Sequence, residues 1–197
     1  MPLSERLPCV GAVLAGGQSR RMGSPKEAVR LPAGTFMIEP VLRALQECCS
    51  SVVVVGACDG YNLSGWQNVL HVTDLRPGMG PLSGIEALLA SRLADGYVVA
   101  ACDQPGLTSA LLSRLPGDII GRFFENPAGA CFHPLPGYYP ATWLPATRRA
   151  IDEGRLSLRA LIESQEIVRV PLLPGEEELL QSLNTPQEVE RFRRGCV

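Results

Sequence analysis

No long run of lysine or arginine, no apolar stretch near the ~18 residues that a membrane helix needs, no CxxC pair and only two histidines occur in this chain. Each absence removes a class of function. Without a basic run, and with a net charge of −2, nothing draws the molecule as a whole to nucleic acid, and a small anionic ligand fits better. The missing apolar stretch argues against a membrane protein. The N-terminus, with Glu5 and Arg6 ahead of a short apolar run, lacks the pattern of a signal peptide, so a soluble cytoplasmic protein is expected. The cysteines number seven, an odd set: Cys9, Cys48, Cys49, Cys58, Cys102, Cys131 and Cys196. Disulfides and structural zinc are therefore not expected, and most of these cysteines read as small reduced core residues beside apolar runs. No repeat or low-complexity tract is present.

What is there is apolar and regularly punctuated. With 197 residues, 46% of them hydrophobic, the chain can bury one substantial core, and one domain is the default. Apolar runs bounded by Gly, Pro or Asp at Cys9 to Ala15, Ser51 to Gly56, Val69 to Val72 and Tyr97 to Cys102 predict buried strands. Between them, Ile38, Val41, Leu42, Leu45 and Cys49 repeat at helical spacing, as do Ile85, Leu88, Leu89 and Leu93. Strand and helix alternate, so the expected fold is α/β with a mostly parallel sheet. The second half is less regular. A β-like stretch is expected around Ala128 to Phe132, helices near Ala141 to Ile151 and Leu158 to Glu163, and a strand from Ile167 to Leu172. Thr185-Pro186-Gln187-Glu188 combines a cap, a first-turn proline and a glutamate three residues on, which starts a helix. Glu176 to Glu178 and Arg191 to Arg194 read as solvated faces.

The chemistry is expected just past the strand ends. The first strand runs into Leu14-Ala15-Gly16-Gly17-Gln18-Ser19-Arg20-Arg21-Met22-Gly23-Ser24-Pro25-Lys26. Glycines let backbone N–H groups approach a polyphosphate, and the arginines and lysine can offset its charge. A Walker A loop is excluded, because Ser24 and Pro25 separate Gly23 from Lys26. The dinucleotide fingerprint is excluded too, since Gln18 stands where its second glycine belongs. Asp74 follows the third apolar run, where it either contacts a nucleoside or closes an Asx turn. Gly78, Gly80 and Gly84 form a loop that opens a helix and suits a nucleobase. Asp103 leaves the fourth run as either a magnesium ligand or a turn carboxylate. Asn184 precedes the capped helix, where its amide oxygen either completes a metal or phosphate site or simply belongs to the loop.

These segments, with Gly80-Pro81-Leu82-Ser83-Gly84, Cys102-Asp103-Gln104-Pro105, His133-Pro134-Leu135 and Asn184-Thr185-Pro186, closely resemble the molybdenum cofactor guanylyltransferase family over about Cys9 to Phe192. The Leu-Ala-Gly-Gly form and the Pro-Leu-Ser-Gly loop look like its guanine-using branch. The resemblance implies a three-layer αβα, Rossmann-like fold of the nucleotide-diphospho-sugar transferase type, with a nucleotide-binding half over about 1–110 and an acceptor-binding half over about 111–197. It implies GTP and molybdopterin as substrates, with Mg²⁺ as cofactor and transient contact with molybdoenzymes or their chaperones. Leu14, Ala15, Gly16, Gly17 and Lys26 would take the triphosphate, Asp74 the nucleoside and Asp103, with Asn184, the metal. Lys26, Arg21 and Asp103 would carry catalysis. His133, Arg155 and Arg159 would face the pterin. One departure stands out: the family often carries an asparagine after the second strand to touch the nucleotide, and this chain has Gly56. The alternatives are a cytidylyl- or sugar-phosphate nucleotidyltransferase, and a non-catalytic nucleotide-binding partner of molybdoenzyme maturation.

Overall fold

The computed structural model describes residues 7–16, 25–126, 129 and 131–195, with the backbone alone for 7, 8 and 193–195. Seven strands form one sheet: β1 (Leu7–Leu14), β2 (Cys49–Val55), β3 (Val69–Val72), β4 (Gly96–Ala101), β5 (Gly121–Glu125), β6 (Phe132–Pro140) and β7 (Ile167–Pro171), in the order β3-β2-β1-β4-β6-β5-β7. Every strand but β6 runs in one direction, because β6 is antiparallel to both β4 and β5 while all other pairings are parallel.

The near-continuous apolar runs follow from covering both faces of this sheet. Val52 and Val54 of β2 and Val98 and Ala100 of β4 pack on one face, against α1 (Ile38–Cys48) and α3 (Ser109–Leu112). Val53, Val55, Tyr97 and Val99 alternate onto the other, against α2 (Pro81–Ala90), α4 (Leu144–Asp152) and α5 (Leu158–Glu163). Two helical layers enclose the sheet, a three-layer αβα arrangement. A smaller cluster of Leu31, Met37, Leu183 and Val189 seats α6 (Pro186–Gly195) on the segment that follows Lys26. Among the described residues no helix is long and apolar enough to cross a membrane.

Several local expectations need correction. Cys49 belongs to β2 rather than to the helix, since the extended chain begins there (φ −109°, ψ 157°). Leu93 lies beyond α2 and is exposed. The strand expected at Ala128 to Phe132 instead starts at Phe132 and runs to Pro140, and 127–128 and 130 lie outside the described residues. Prolines at 134, 136 and 140 mask it, because proline cannot donate to a ladder. The chain accommodates them where the β5–β6 register is irregular, between Phe123 and Glu125, and at the end of the pairing with β4. The helix near Ala141 opens with a 3-10 turn over Ala141–Trp143 before α4. β5 offers only Phe123 and Phe124 between Arg122 and Glu125, and α3 is a single turn, so neither gives an apolar or periodic signal. Glu176 is no simple solvated charge, since it bonds Arg114 at 2.6 Å and the Leu173 N–H at 2.8 Å. The six cysteines of the described residues are free thiols; Cys131 is exposed against the expectation of a core residue, and Cys196 lies outside those residues.

An aromatic group closes the β5–β6 side of the sheet. Phe123 stacks on Trp143 with centroids 6.0 Å apart and meets Tyr139 edge-on at 5.2 Å. Gly121 makes room for it: a Cβ there would stand 2.4 Å from the Trp143 ring. Gly121→Ala should therefore overpack the cluster at a cost of about 1–3 kcal/mol. Thermal unfolding should show Tm lower by about 3–10 °C.

Candidate active site

The strand order reverses between β1 and β4, since β2 and β3 continue to one side of β1 and β4 to the other. At such a switch point the loops leaving two adjacent parallel strands diverge and open a crevice for a ligand. Here β1 exits through Ala15 and Gly16, and β4 through Cys102 and Asp103. The exits stay in register: Cys102 N–H donates to Leu14 O at 3.1 Å and Ala15 N–H to Val55 O at 2.8 Å.

Three distant segments converge on this crevice. Lys26, opening a 3-10 turn over Lys26–Ala28, donates from Nζ to Asp103 Oδ2 at 2.5 Å and to Asn184 Oδ1 at 2.6 Å. The Asp103 carboxylate is largely buried, and among the described residues its other oxygen, Oδ1, has no hydrogen-bond partner. An orphaned buried carboxylate oxygen is costly unless something fills its lone pairs. Asn184 is held by the cap of α6, where Glu188 Oε2 accepts from the N–H groups of Asn184 (2.6 Å) and Thr185 (2.9 Å). The Thr-Pro-x-Glu pattern thus does more than start a helix, because it also fixes the residue before the cap.

A divalent cation fits these donors. Asp103 Oδ1 and Asn184 Oδ1 are hard oxygens, the kind Mg²⁺ takes together with waters and substrate phosphate. Among the described residues no group of three or more His, Cys, Asp or Glu could hold a metal by itself.

Asp74 stands apart from this trio, over a floor of small residues. Ideal Cβ atoms at Gly56 and Gly84 would lie 3.7 and 3.5 Å from its Oδ1, and that of Gly84 3.2 Å from Leu14 Cδ2. Burial raises the pKa of Asp74. Gly56 is required by the backbone: its φ is +95°, and a Cβ would come within 2.4 Å of Ala15 O. A side chain at 56 is therefore excluded by the carbonyl of Ala15 at the exit of β1. The loop from Asp74 to Gly80 is anchored on α2, whose buried Glu86 lies 3.1 Å from Arg76 Nε and 3.3 Å from Arg148 Nε. Ser83 Oγ donates to Arg76 O at 2.8 Å. Neither anchor was visible as a site residue in the sequence, although an acidic residue inside the apolar run of α2 is a signal for one.

Of the remaining candidates, Gly17 and Arg21 lie outside the described residues. His133 and Arg159 are neighbours around Phe132. His133 Nε2 sits 2.5 Å from Asn126 Oδ1, and burial, with the Arg159 charge, lowers its pKa. The Arg159 guanidinium lies 4.5 Å over the Phe132 ring and donates to Phe132 O at 2.8 Å and Cys131 Sγ at 3.1 Å. Arg155 is separate, an exposed side chain paired with Glu153.

A lysine and a buried carboxylate meeting at the β1/β4 switch point of a three-layer αβα sheet suit a phosphate-bearing ligand, as a nucleotidyltransferase requires. The comparisons with known proteins agree. The model of the MobA-like NTP transferase domain matches residues 11–170. A probable molybdenum cofactor guanylyltransferase of Opitutus terrae is 33% identical, over 93% of this chain and 94% of that protein. A molybdenum cofactor guanylyltransferase of Desulfosudis oleivorans is 30% identical, over 92% of each. Among solved structures, molybdopterin-guanine dinucleotide biosynthesis protein A of Archaeoglobus fulgidus superposes with a TM-score of 0.77 at 26% identity, covering 95% of this chain and 98% of that one. The chain belongs to the MobA-like NTP transferase family. The 2-C-methyl-D-erythritol 4-phosphate cytidylyltransferase of Thermus thermophilus shares the fold, with a TM-score of 0.65 at 14% identity over 93% of this chain and 96% of that one.

Two measurements probe the electrostatics. Lys26→Met should leave the Asp103 carboxylate without its cation and destabilise the protein by about 1–3 kcal/mol in urea unfolding. Adding Asp103→Asn should recover part of that loss. Asp74 behaves in the opposite sense. Because its folded pKa is raised, its contribution to stability is present at low pH and is lost as the carboxyl ionises. Asp74→Asn should therefore raise Tm at pH 7, with the gain vanishing below about pH 4.

Proposed function

We propose that this enzyme transfers GMP from GTP to the terminal phosphate of molybdopterin, releasing pyrophosphate and forming the guanine dinucleotide form of the cofactor. The observation that carries the reading is the convergence of Lys26, Asp103 and Asn184 at the switch point. The names of the relatives add the guanine and pterin substrates.

The triphosphate lies over the exit of β1, from Leu14 to Gly17. Lys26 has three N–H donors; the two used on Asp103 and Asn184 leave one for a phosphate oxygen. Its ammonium, with Arg21, stabilises the negative charge that builds on the α-phosphate and on the departing pyrophosphate. Asp103 and Asn184 would hold Mg²⁺, which when bound supplies further neutralisation of that charge. Asp74 receives the nucleoside above Gly56 and Gly84. The acceptor approaches from the side of His133, Arg155 and Arg159, where the guanidinium groups of the two arginines suit a phosphorylated pterin. The pterin phosphate attacks the α-phosphorus directly, the bond to the pyrophosphate oxygen breaks, and no covalent enzyme intermediate is formed. Work in the cytoplasm, with transient contact with molybdoenzymes or their chaperones, completes the proposal.

Pyrophosphate release should be measured with each of the four nucleoside triphosphates, Mg²⁺ and molybdopterin. GTP should be the preferred donor. Lys26→Ala and Asp103→Ala, both folded, should lower the rate by about 10²–10³-fold. Turnover with CTP and none with GTP would overturn the guanine assignment, and no release with any donor would leave a nucleotide-binding module.

A further inference from the structure

Asp103 and Asn184 lie 81 positions apart in the chain and no strand pairing joins them, so something else must set their separation. Residues 181–184 have no regular secondary structure, and β4 has already ended at Ala101. Gln104, the next residue after Asp103, is 3% exposed and uses its whole side-chain amide to bridge this gap. Its Oε1 accepts from the Ala101 N–H at 3.3 Å. Its Nε2 donates to Leu135 O at 3.1 Å and to Leu180 O at 2.9 Å. One amide thereby ties the exit of β4, the strand β6 and the turn that leads to Asn184.

A backbone bond continues the tie, since Leu183 N–H donates to Asp103 O at 2.8 Å. Leu180 and Leu183 are buried beneath it. On the far side Glu188 holds the N–H groups of Asn184 and Thr185. The segment 180–185 is thus suspended between the Gln104 amide and the cap of α6. A methionine of the same length in place of Gln104 would fill the volume and leave the Ala101 N–H and two carbonyl oxygens to find other partners.

We propose that Gln104 is a positioning residue, one that holds the 180–185 segment against the β4 exit so that the Asn184 amide oxygen stands beside Lys26 and Asp103. The functional consequence rests on the reading of Asp103 and Asn184 as ligands of the divalent ion. Losing the tether should weaken metal binding through Asn184, as loss of an outer hydrogen-bond partner does at other metal sites.

The test compares wild type with Gln104→Met, Asn184→Ala and the double variant, and repeats the series with Gln104→Glu, which keeps the side-chain volume but sets a carboxylate against the two carbonyls. In the free protein, amide hydrogen exchange should speed up at residues 180–185 in the Gln104 variants while β1 and β4 stay protected. Mn²⁺ titrated in the presence of GTP and followed by electron paramagnetic resonance should bind about 10-fold more weakly to Gln104→Met. In the Asn184→Ala background the same substitution should change Mn²⁺ binding less than about 2-fold, because the two act through one group. Unchanged exchange at 180–185, or losses of metal affinity that add in the double variant, would overturn the proposal. If Asn184→Ala binds Mn²⁺ like wild type while exchange at 180–185 is faster in Gln104→Met, the positioning role stands and the assignment of Asn184 to the metal falls.

Discussion

An ammonium from one end of the chain, a carboxylate from its middle and an amide from near its other end meet within hydrogen-bond distance, at sequence separations of 77 and 158 residues. The pairing of Lys26 with Asp103 is the constraint around which the site is arranged. It places a positive group where β1 and β4 diverge, and it gives a partner to one oxygen of a largely buried carboxylate. Bringing these groups together requires the parallel register of β1 with β4, the seating of α6 on the segment after Lys26, and the cap that holds Asn184. A buried charge left without its partner destabilises the fold, so the geometry proposed to serve an anionic ligand is also one the folded chain depends on.

Around that pair the molecule divides its work by strand direction. The parallel half of the sheet, β3-β2-β1-β4, sends all its exits to one edge, where the small residues Gly56 and Gly84 make a floor below Asp74. Glu86 and Ser83 of α2 hold the loop that carries Asp74. The antiparallel strand β6 brings His133 to the same sheet with a different set of partners, Asn126 and the neighbouring Arg159. A nucleotide on the first part and a phosphorylated acceptor on the second is the arrangement proposed for the reaction. Direct transfer between two bound phosphates then needs positioning and charge neutralisation from the protein rather than a nucleophile of its own.

Legibility in the sequence varied with the kind of interaction. β1, β2 and β4 were plain because both faces of each are buried, so the runs around Val52 to Val55 and Val98 to Ala101 are apolar without interruption, whereas β3 lies at the sheet edge with Leu70 exposed. Helix α5 and the start of α6 were equally plain from spacing and capping. β6 was hidden by its three prolines, and β5 by the charged residues Arg122 and Glu125 around its two phenylalanines. Asp103 and Lys26 could be named as candidates from their places after strands. Their contact could not, nor could the orphaned oxygen of Asp103. Gly56 looked like a missing side chain and proved to be a backbone requirement, a distinction that depends on the approach of Ala15 O.

Local chemistry, then, was written in the linear order of residues: which segments are strands, where a glycine turn follows one, which helix is capped, and which family of enzymes the pattern resembles. The tertiary structure alone decided which of those residues share a site, because hydrogen bonds and ion pairs depend on distances of a few ångströms between segments whose separation along the chain says nothing of their separation in space. Gln104 makes the point. In sequence it is one polar residue between an aspartate and a proline, and only the folded chain shows its amide spanning β4, β6 and the turn before Asn184.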